Sequence, residues 1–245
     1  MSKANFEFGE HPGRLIKYVA SKYLLCLPDG YDEDQNRAWP LVIFLHGAGE
    51  RGTKVRKVAL NGLPKVIRDG RRLPVVLLAP LCPAGQCWDD DEVLDLIDHI
   101  QSHHRVDENR LYITGLSMGG YGTWSLVVNH PEMWAAAAPI CGGGSTIGIL
   151  LASGSKLKAL RGLPIHAFHG GKDDVVPPQE SERMVAALKR IGCKNVDHTI
   201  YPEAGHDSWT ETYANEQFIE WLLDQKKQKG TRRSGKSTKK PGKGR

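Results

Sequence analysis

Pro40-Leu41-Val42-Ile43-Phe44-Leu45 is apolar at every position, the pattern of a strand buried on both faces. Leu73-Pro74-Val75-Val76-Leu77-Leu78-Ala79 repeats it. Shorter β-favouring runs follow at Arg110–Thr114, Ala135–Ile140, Leu163–Phe168 and Val196–Tyr201, and the alternation from Tyr18 to Pro28 predicts one or two early strands. Between these runs the period changes to that of a helix. A helix is expected over Val58–Asp69, with Gly62 and Pro64 crowding its start. From Asp89 to His104, Val93, Leu96, Ile97 and Ile100 share one face, and acidic residues open the segment. Tyr121 to His130 is stopped by Pro131, and Ser181 to Ile191 is closed by Gly192. A last helix, after His206, carries Phe218, Ile219, Leu222 and Leu223.

Strands alternating with helices predict a mostly parallel sheet covered on both faces. Ligands in such sheets bind beyond the carboxyl ends of the strands. The polar clusters His46–Gly52, Gly115–Gly120, His169–Asp174 and Ala204–His206 all follow predicted strands. No internal repeat interrupts the pattern, so one α/β domain is expected over 1–225 and a disordered basic tail over 226–245.

Charge changes the picture only at that tail. The 245 residues carry +5, but 226–245 hold ten Lys or Arg and no acid. Without those ten, 23 basic and 28 acidic groups remain, a net of −5. Such a tail can attract nucleic acid or acidic surfaces loosely; no specific nucleic-acid partner is expected. Gly230–Ser237 fits the letters of a phosphate loop, yet it lacks the preceding buried strand and the following helix that the motif needs. Five cysteines, an odd number, and an N-terminus without the apolar core of a signal peptide lead us to expect reduced thiols and a cytoplasmic location. No apolar run approaches the roughly 20 residues that span a bilayer.

The candidate chemistry sits in Gly115-Leu116-Ser117-Met118-Gly119-Gly120. A strand precedes it and a helix beginning at Met118 follows. In that context G-x-S-x-G is a nucleophile elbow: the serine occupies a strained corner, and the flanking glycines let strand and helix approach. A hydroxyl needs a base within hydrogen-bond reach, and the base needs a carboxylate to fix its tautomer. Ser117, Asp173 and His206 stand in the order serine, acid, histidine, each just past a predicted strand. Asp174 competes with Asp173 for the acid's place. The oxyanion donors expected are the N–H groups of Met118 and, in the glycine-rich loop after Leu45, Ala48. His46 has no second ligand at metal spacing, so no metal is expected and His46 is read as a structural hydrogen-bonding residue.

Taken together, His46-Gly47-Ala48-Gly49-Glu50-Arg51-Gly52, Gly115 to Gly122, Pro139 to Gly144, His169-Gly170 through Asp173, and His206-Asp207-Ser208-Trp209 resemble the serine esterases of the α/β-hydrolase superfamily. The likeness is to the branch described as predicted peptidases or phospholipase/carboxylesterases, beside the feruloyl-esterase and polyhydroxybutyrate-depolymerase-like enzymes. It covers roughly residues 15–225. It implies an α/β-hydrolase fold, a triad of Ser117, His206 and Asp173, ester hydrolysis and no cofactor; the family's His-Gly-x-x pattern favours Asp173 over Asp174.

The substrate expected is a small or oligomeric ester. Trp88 and Trp209 are candidate walls of its pocket. The stretch between Ile140 and Leu163 is too short for a large helical cap, so little or no cap is expected and short acyl groups are favoured. A peptidase of the same fold and a non-enzymatic binding protein using the tail are the competing classes. The oligomeric state is left open.

Overall fold

The computed structural model describes residues 21–227. The start of the Tyr18–Pro28 run, the phosphate-loop look-alike and the tail from 228 onward lie outside that range.

The buried run Trp39–Leu45 forms the strand that divides the core. Its odd positions, Leu41, Ile43 and Leu45, join one apolar cluster, while Val42 and Phe44 join another on the opposite face. That is the two-residue period of a strand covered on both sides. Numbered in chain order, the strands are β1 (Lys22–Cys26), β2 (Trp39–Leu45), β3 (Val76–Leu81), β4 (Val106–Leu116), β5 (Ala136–Ile140), β6 (Ile165–Gly170) and β7 (Val196–Tyr201). They lie in the order β1-β3-β2-β4-β5-β6-β7. All neighbours pair in parallel except β1, which runs antiparallel along β3.

Helices cover both faces, as the alternation predicts. They are α1 (Gly62–Arg68), α2 (Asp90–His103), α3 (Met118–Asn129), α4 (Thr146–Leu150), α5 (Gly154–Gly162), α6 (Gln179–Arg190), α7 (Trp209–Ala214) and α8 (Glu216–Asp224). The α2 helix buries Val93, Leu96, Ile97 and Ile100, the stripe visible in the sequence. Asp89 caps it by accepting from the Glu92 N–H at 3.1 Å. With α3 to α6 it covers the face of Leu41, Ile43 and Leu45. Leu63 of α1, Tyr213 of α7 and Phe218, Ile219 and Leu222 of α8 cover the other.

Two expectations change. The helix over Val58–Asp69 is two pieces, a 3-10 turn over Val55–Ala59 and then α1. Gly62 breaks it with a φ of +64°, and any side chain there would run into the Phe44 ring. The last helix is also two, because Asn215 turns the chain and caps α8 through the N–H groups of Gln217 and Phe218. The stretch after β5, too short for a large cap, holds two short helices. Ile149 of α4 and Leu160 of α5 are buried in the α2–α6 side of the core, so this insertion thickens the helical layer and builds no cap. The packed chain also continues slightly past 225: the Lys227 N–H donates to the Asn109 carbonyl at 3.0 Å.

All five cysteines are free thiols. Among the described residues no helix is long and apolar enough to cross a membrane.

Candidate active site

Ser117 stands between β4 and α3 with φ 53° and ψ −119°, a conformation that an L-residue adopts only when its surroundings impose it. The surroundings are backbone. A Cβ on Gly115 would lie 2.5 Å from the Gly119 carbonyl oxygen, so the strand and helix meet with no room for a methyl group between them. The Ser117 N–H is held by the Ile140 carbonyl at 3.0 Å, with the Cys141 thiol beside it at 3.3 Å. The turn is thereby anchored to the end of the neighbouring strand, and the serine side chain stands clear of the sheet.

His206 follows β7. Its Nε2 is 2.9 Å from Ser117 Oγ and its Nδ1 is 2.8 Å from Asp173 Oδ2. The carboxylate only accepts, so Nδ1 carries the proton and Nε2 is free to receive that of Ser117. Glycine at 170 is needed nearby, because a side chain there would strike the Ala204 and Gly205 carbonyls: the end of β6 and the loop after β7 touch backbone to backbone.

Asp173 and Asp174, indistinguishable by type, separate cleanly in space. Asp174 is exposed. Asp173 is buried, and its Oδ1 accepts from the N–H groups of Val175 and Val176, both at 2.9 Å. Burial pushes its carboxyl up, but the His206 ring and those two N–H groups outweigh burial and hold it below the ordinary carboxylate range. It is therefore charged throughout neutral pH.

Ala48 begins a 3-10 turn over Ala48–Glu50, and Met118 begins α3, so neither N–H has an intrahelical acceptor. The loop carrying Ala48 passes close to Ser117: a Cβ on Gly47 would lie 3.6 Å from that of Ser117. His46 sets the orientation of this loop. Its Nδ1 is 2.6 Å from the Gly47 carbonyl and its Nε2 accepts from the Cys82 N–H at 3.0 Å. A trans peptide points its C=O and N–H in opposite directions. Fixing the Gly47 oxygen against His46 therefore aims the Ala48 N–H away from that ring. Burial pushes the His46 imidazole below its usual value, consistent with a neutral ring that donates from one nitrogen and accepts at the other.

The two candidate tryptophans have different surroundings. Trp88 donates to the His46 carbonyl at 3.1 Å and lies edge-on to the His46 ring. It also walls a cleft of about 410 Å³ with Cys87, Met118, Tyr121, Gly122 and Ser125. That is the small end of the range for ligand pockets. Trp209 packs edge-on against His206, ring centres 5.3 Å apart, and is not among the cleft's walls.

Two neighbours of Ser117, His206 and Asp173 carry little signal in the sequence. Cys141 is buried with φ 40°, and burial pushes its thiol up to about 12. Its sulfur and ligand atoms of Asp173 and His206 lie within 4.8 Å of one another, the one cluster of metal-ligand type among the described residues. The histidine and carboxylate of that cluster already bond each other. The second neighbour is His169, whose Nε2 is 3.2 Å from Asp173 Oδ2.

The chain is 31% identical over 124 residues to a putative carboxymethylenebutenolidase of Salmonella typhimurium, a match covering 48% of this chain and 44% of that protein. It is 32% identical over 165 residues to feruloyl esterase B of Piromyces equi, covering 63% of this chain and 30% of the other. The chain thus spans less than half the length of these curated relatives. Among solved structures, a thermostable esterase superposes with a TM-score of 0.67 at 37% identity, over 83% of this chain and 59% of that one. Residues 89–222, from the cap of α2 to the core of α8, match the family described as phospholipase/carboxylesterase, and the chain belongs to that family of α/β hydrolases.

Proposed function

We propose that this protein is a serine carboxylesterase that works through an acyl-enzyme. The observation that carries the proposal is the unbroken relay from Ser117 Oγ through His206 to Asp173, with bonds of 2.9 and 2.8 Å. Ser117 attacks the ester carbonyl while its proton passes to His206 Nε2. The imidazolium so formed keeps its Nδ1–H on the charged Asp173. The N–H groups of Met118 and Ala48 receive the oxyanion. The tetrahedral adduct collapses, His206 Nε2 returns the proton to the departing alkoxide, and the alcohol leaves. Water then gives its proton to His206 and its oxygen to the acyl carbon. Collapse of the second adduct releases the carboxylic acid and restores the serine hydroxyl.

Substrate size follows from the cleft. With α4 and α5 packed in the helical layer, nothing in the insertion roofs the site, so a bulky alcohol can extend into solvent. The acyl group lies in the short cleft at Trp88, Met118 and Tyr121. Each buried methylene contributes about 0.8 kcal/mol only while a wall exists to cover it. The relatives' names add carboxymethylenebutenolide, a cyclic ester, and feruloyl groups to the panel worth assaying.

Ser117→Ala is the decisive variant. It should remain folded, lose labelling by a fluorophosphonate and drop in kcat by at least about 10⁴-fold on any ester turned over. On p-nitrophenyl esters, kcat/KM should peak between acetate and butyrate. Turnover within tenfold of wild type in Ser117→Ala sinks the assignment, and a steady rise through decanoate sinks the open, short-acyl site. Faster cleavage of matched anilides than of esters would turn the assignment towards a peptidase.

A further inference from the structure

His169 lies at the end of β6, fully buried, and the catalytic scheme above gives it no role. Its Nε2 faces two oxygens: the Val176 carbonyl at 2.9 Å and Asp173 Oδ2 at 3.2 Å. Neither oxygen has a proton to give, so Nε2 must carry one. On the other side, Nδ1 is 2.5 Å from the Ser181 hydroxyl, which is itself 3.0 Å from the Gly142 carbonyl. Whichever way that hydroxyl turns, the Nε2–H is bonded to the Val176 carbonyl, with Asp173 Oδ2 beside it at 3.2 Å.

Asp173 Oδ2 is therefore shared. It takes the Nδ1–H of His206 at 2.8 Å and faces the Nε2–H of His169 at 3.2 Å. Oδ1 is filled by the two backbone N–H groups of the Val175–Val176 turn. We propose that His169 is a positioning residue for the triad. It locks the Asp173 carboxylate with Oδ2 towards His206 and, by drawing on the same oxygen, limits how basic His206 becomes. This rests on the assignment of Ser117, His206 and Asp173 as the triad.

The direction of the second effect follows from charge. An N–H dipole 3.2 Å from Oδ2 partly offsets the negative charge that stabilises the His206 imidazolium. Without it, more charge remains on the oxygen facing His206, and His206 holds its proton to a higher pH. The other groups around the pair are Cys141 just past β5, Tyr121 from α3, His198 from β7, and the carboxylates of Asp174 and Asp207. Burial raises the Cys141 thiol and the Tyr121 hydroxyl and pushes the His198 imidazole down to about 4. None of these three changes charge between pH 5 and 8, and the two carboxylates are the same in wild type and variants.

The test compares His169→Leu with His169→Gln, whose amide can place an N–H near the position of Nε2. His169→Leu should lower kcat by about tenfold or more with KM little changed. It should also move the acidic midpoint of kcat/KM upward by about half a pH unit or more. His169→Gln should restore most of the rate and the wild-type midpoint. A residue that only fills space would alter stability and leave the midpoint in place. Should the leucine variant not fold, the glutamine variant and a measurement on the unaltered ring still decide. Nitrogen-15 shifts of the histidines, assigned by loss of one ring in His169→Gln, should show His169 protonated at Nε2 at pH 8. A bare Nε2, or a folded His169→Leu enzyme with wild-type midpoint and rate, overturns the proposal. Both outcomes leave the triad standing if Ser117→Ala is inactive; an active Ser117→Ala enzyme removes the triad itself.

Discussion

A methyl group on Gly119 would overlap the carbonyl oxygen of Leu45. The first turn of α3 thus presses directly on the end of β2, one strand away from the strand that delivers Ser117. Gly120 faces the Ile140 carbonyl in the same way on the other side, a Cβ there lying 2.4 Å or so from the oxygen, too close for any real side chain. The elbow is wedged between the ends of β2 and β5, and the fixed position of Ser117 results from that wedge.

Gly119→Ala should therefore be far more damaging than an ordinary helix substitution. Alanine favours a helix over glycine by about 1 kcal/mol, but both atoms in collision are backbone or anchored to it. A cost at or beyond ~3 kcal/mol, the upper part of the usual overpacking range, is expected. Urea unfolding checks this; an alanine variant as stable as wild type would mean that the helix can shift off β2.

Asp173→Asn should lower kcat by about 10⁴-fold, since an amide either donates towards His206 or leaves its Nδ1–H without a charged partner. Asp174→Asn should stay within a few-fold of wild type because that side chain is exposed, and His206 bonds Asp173 instead. Steady-state rates on one ester compare them, and the reverse ranking would place the acid one residue on.

At Ala48 the relevant group is the backbone N–H. Ala48→Ser keeps that donor and should change kcat little. Ala48→Pro removes it and should cost roughly 10²-fold or more. Circular dichroism and a melting curve establish that the proline variant is folded. Full activity in a folded proline variant would move the second oxyanion donor elsewhere.

Stability should fall on mild acidification. Burial pushes the imidazoles of His46 and His166 below their usual value and that of His198 down to about 4. In the unfolded chain each takes a proton near pH 6.5. Below that pH the unfolded state binds more protons than the folded one, so unfolding becomes easier as pH drops. For His198 the loss continues to about pH 4. The urea midpoint should be lower at pH 5 than at pH 7.5, and His198→Gln should flatten the slope. Equal midpoints at the two pH values would contradict neutral buried rings.

The sequence by itself determined the sheet, the helices that bury the long apolar stripes, and the places where chemistry could sit. Those features are local: the two-residue alternation of β2, the stripe of α2 and the glycines around Ser117 each follow from near neighbours along the chain. It also ordered Ser117, Asp173 and His206 after the ends of three parallel strands, β4, β6 and β7, which brings them to the same end of the sheet. Tertiary structure decided what local pattern could not. The Phe44 ring, not the residues of α1, requires glycine at 62 and breaks the expected helix. The turn to Val175 and Val176, not the identity of the side chain, separates Asp173 from Asp174. Most of all, the second imidazole on Asp173 arises because β6 and its following loop fold back so that His169 and Asp173 face each other. Hydrogen bonds reach about 3 Å and depend on direction. Chain order brings groups to the same end of a sheet, but only packed backbone sets their positions to that tolerance.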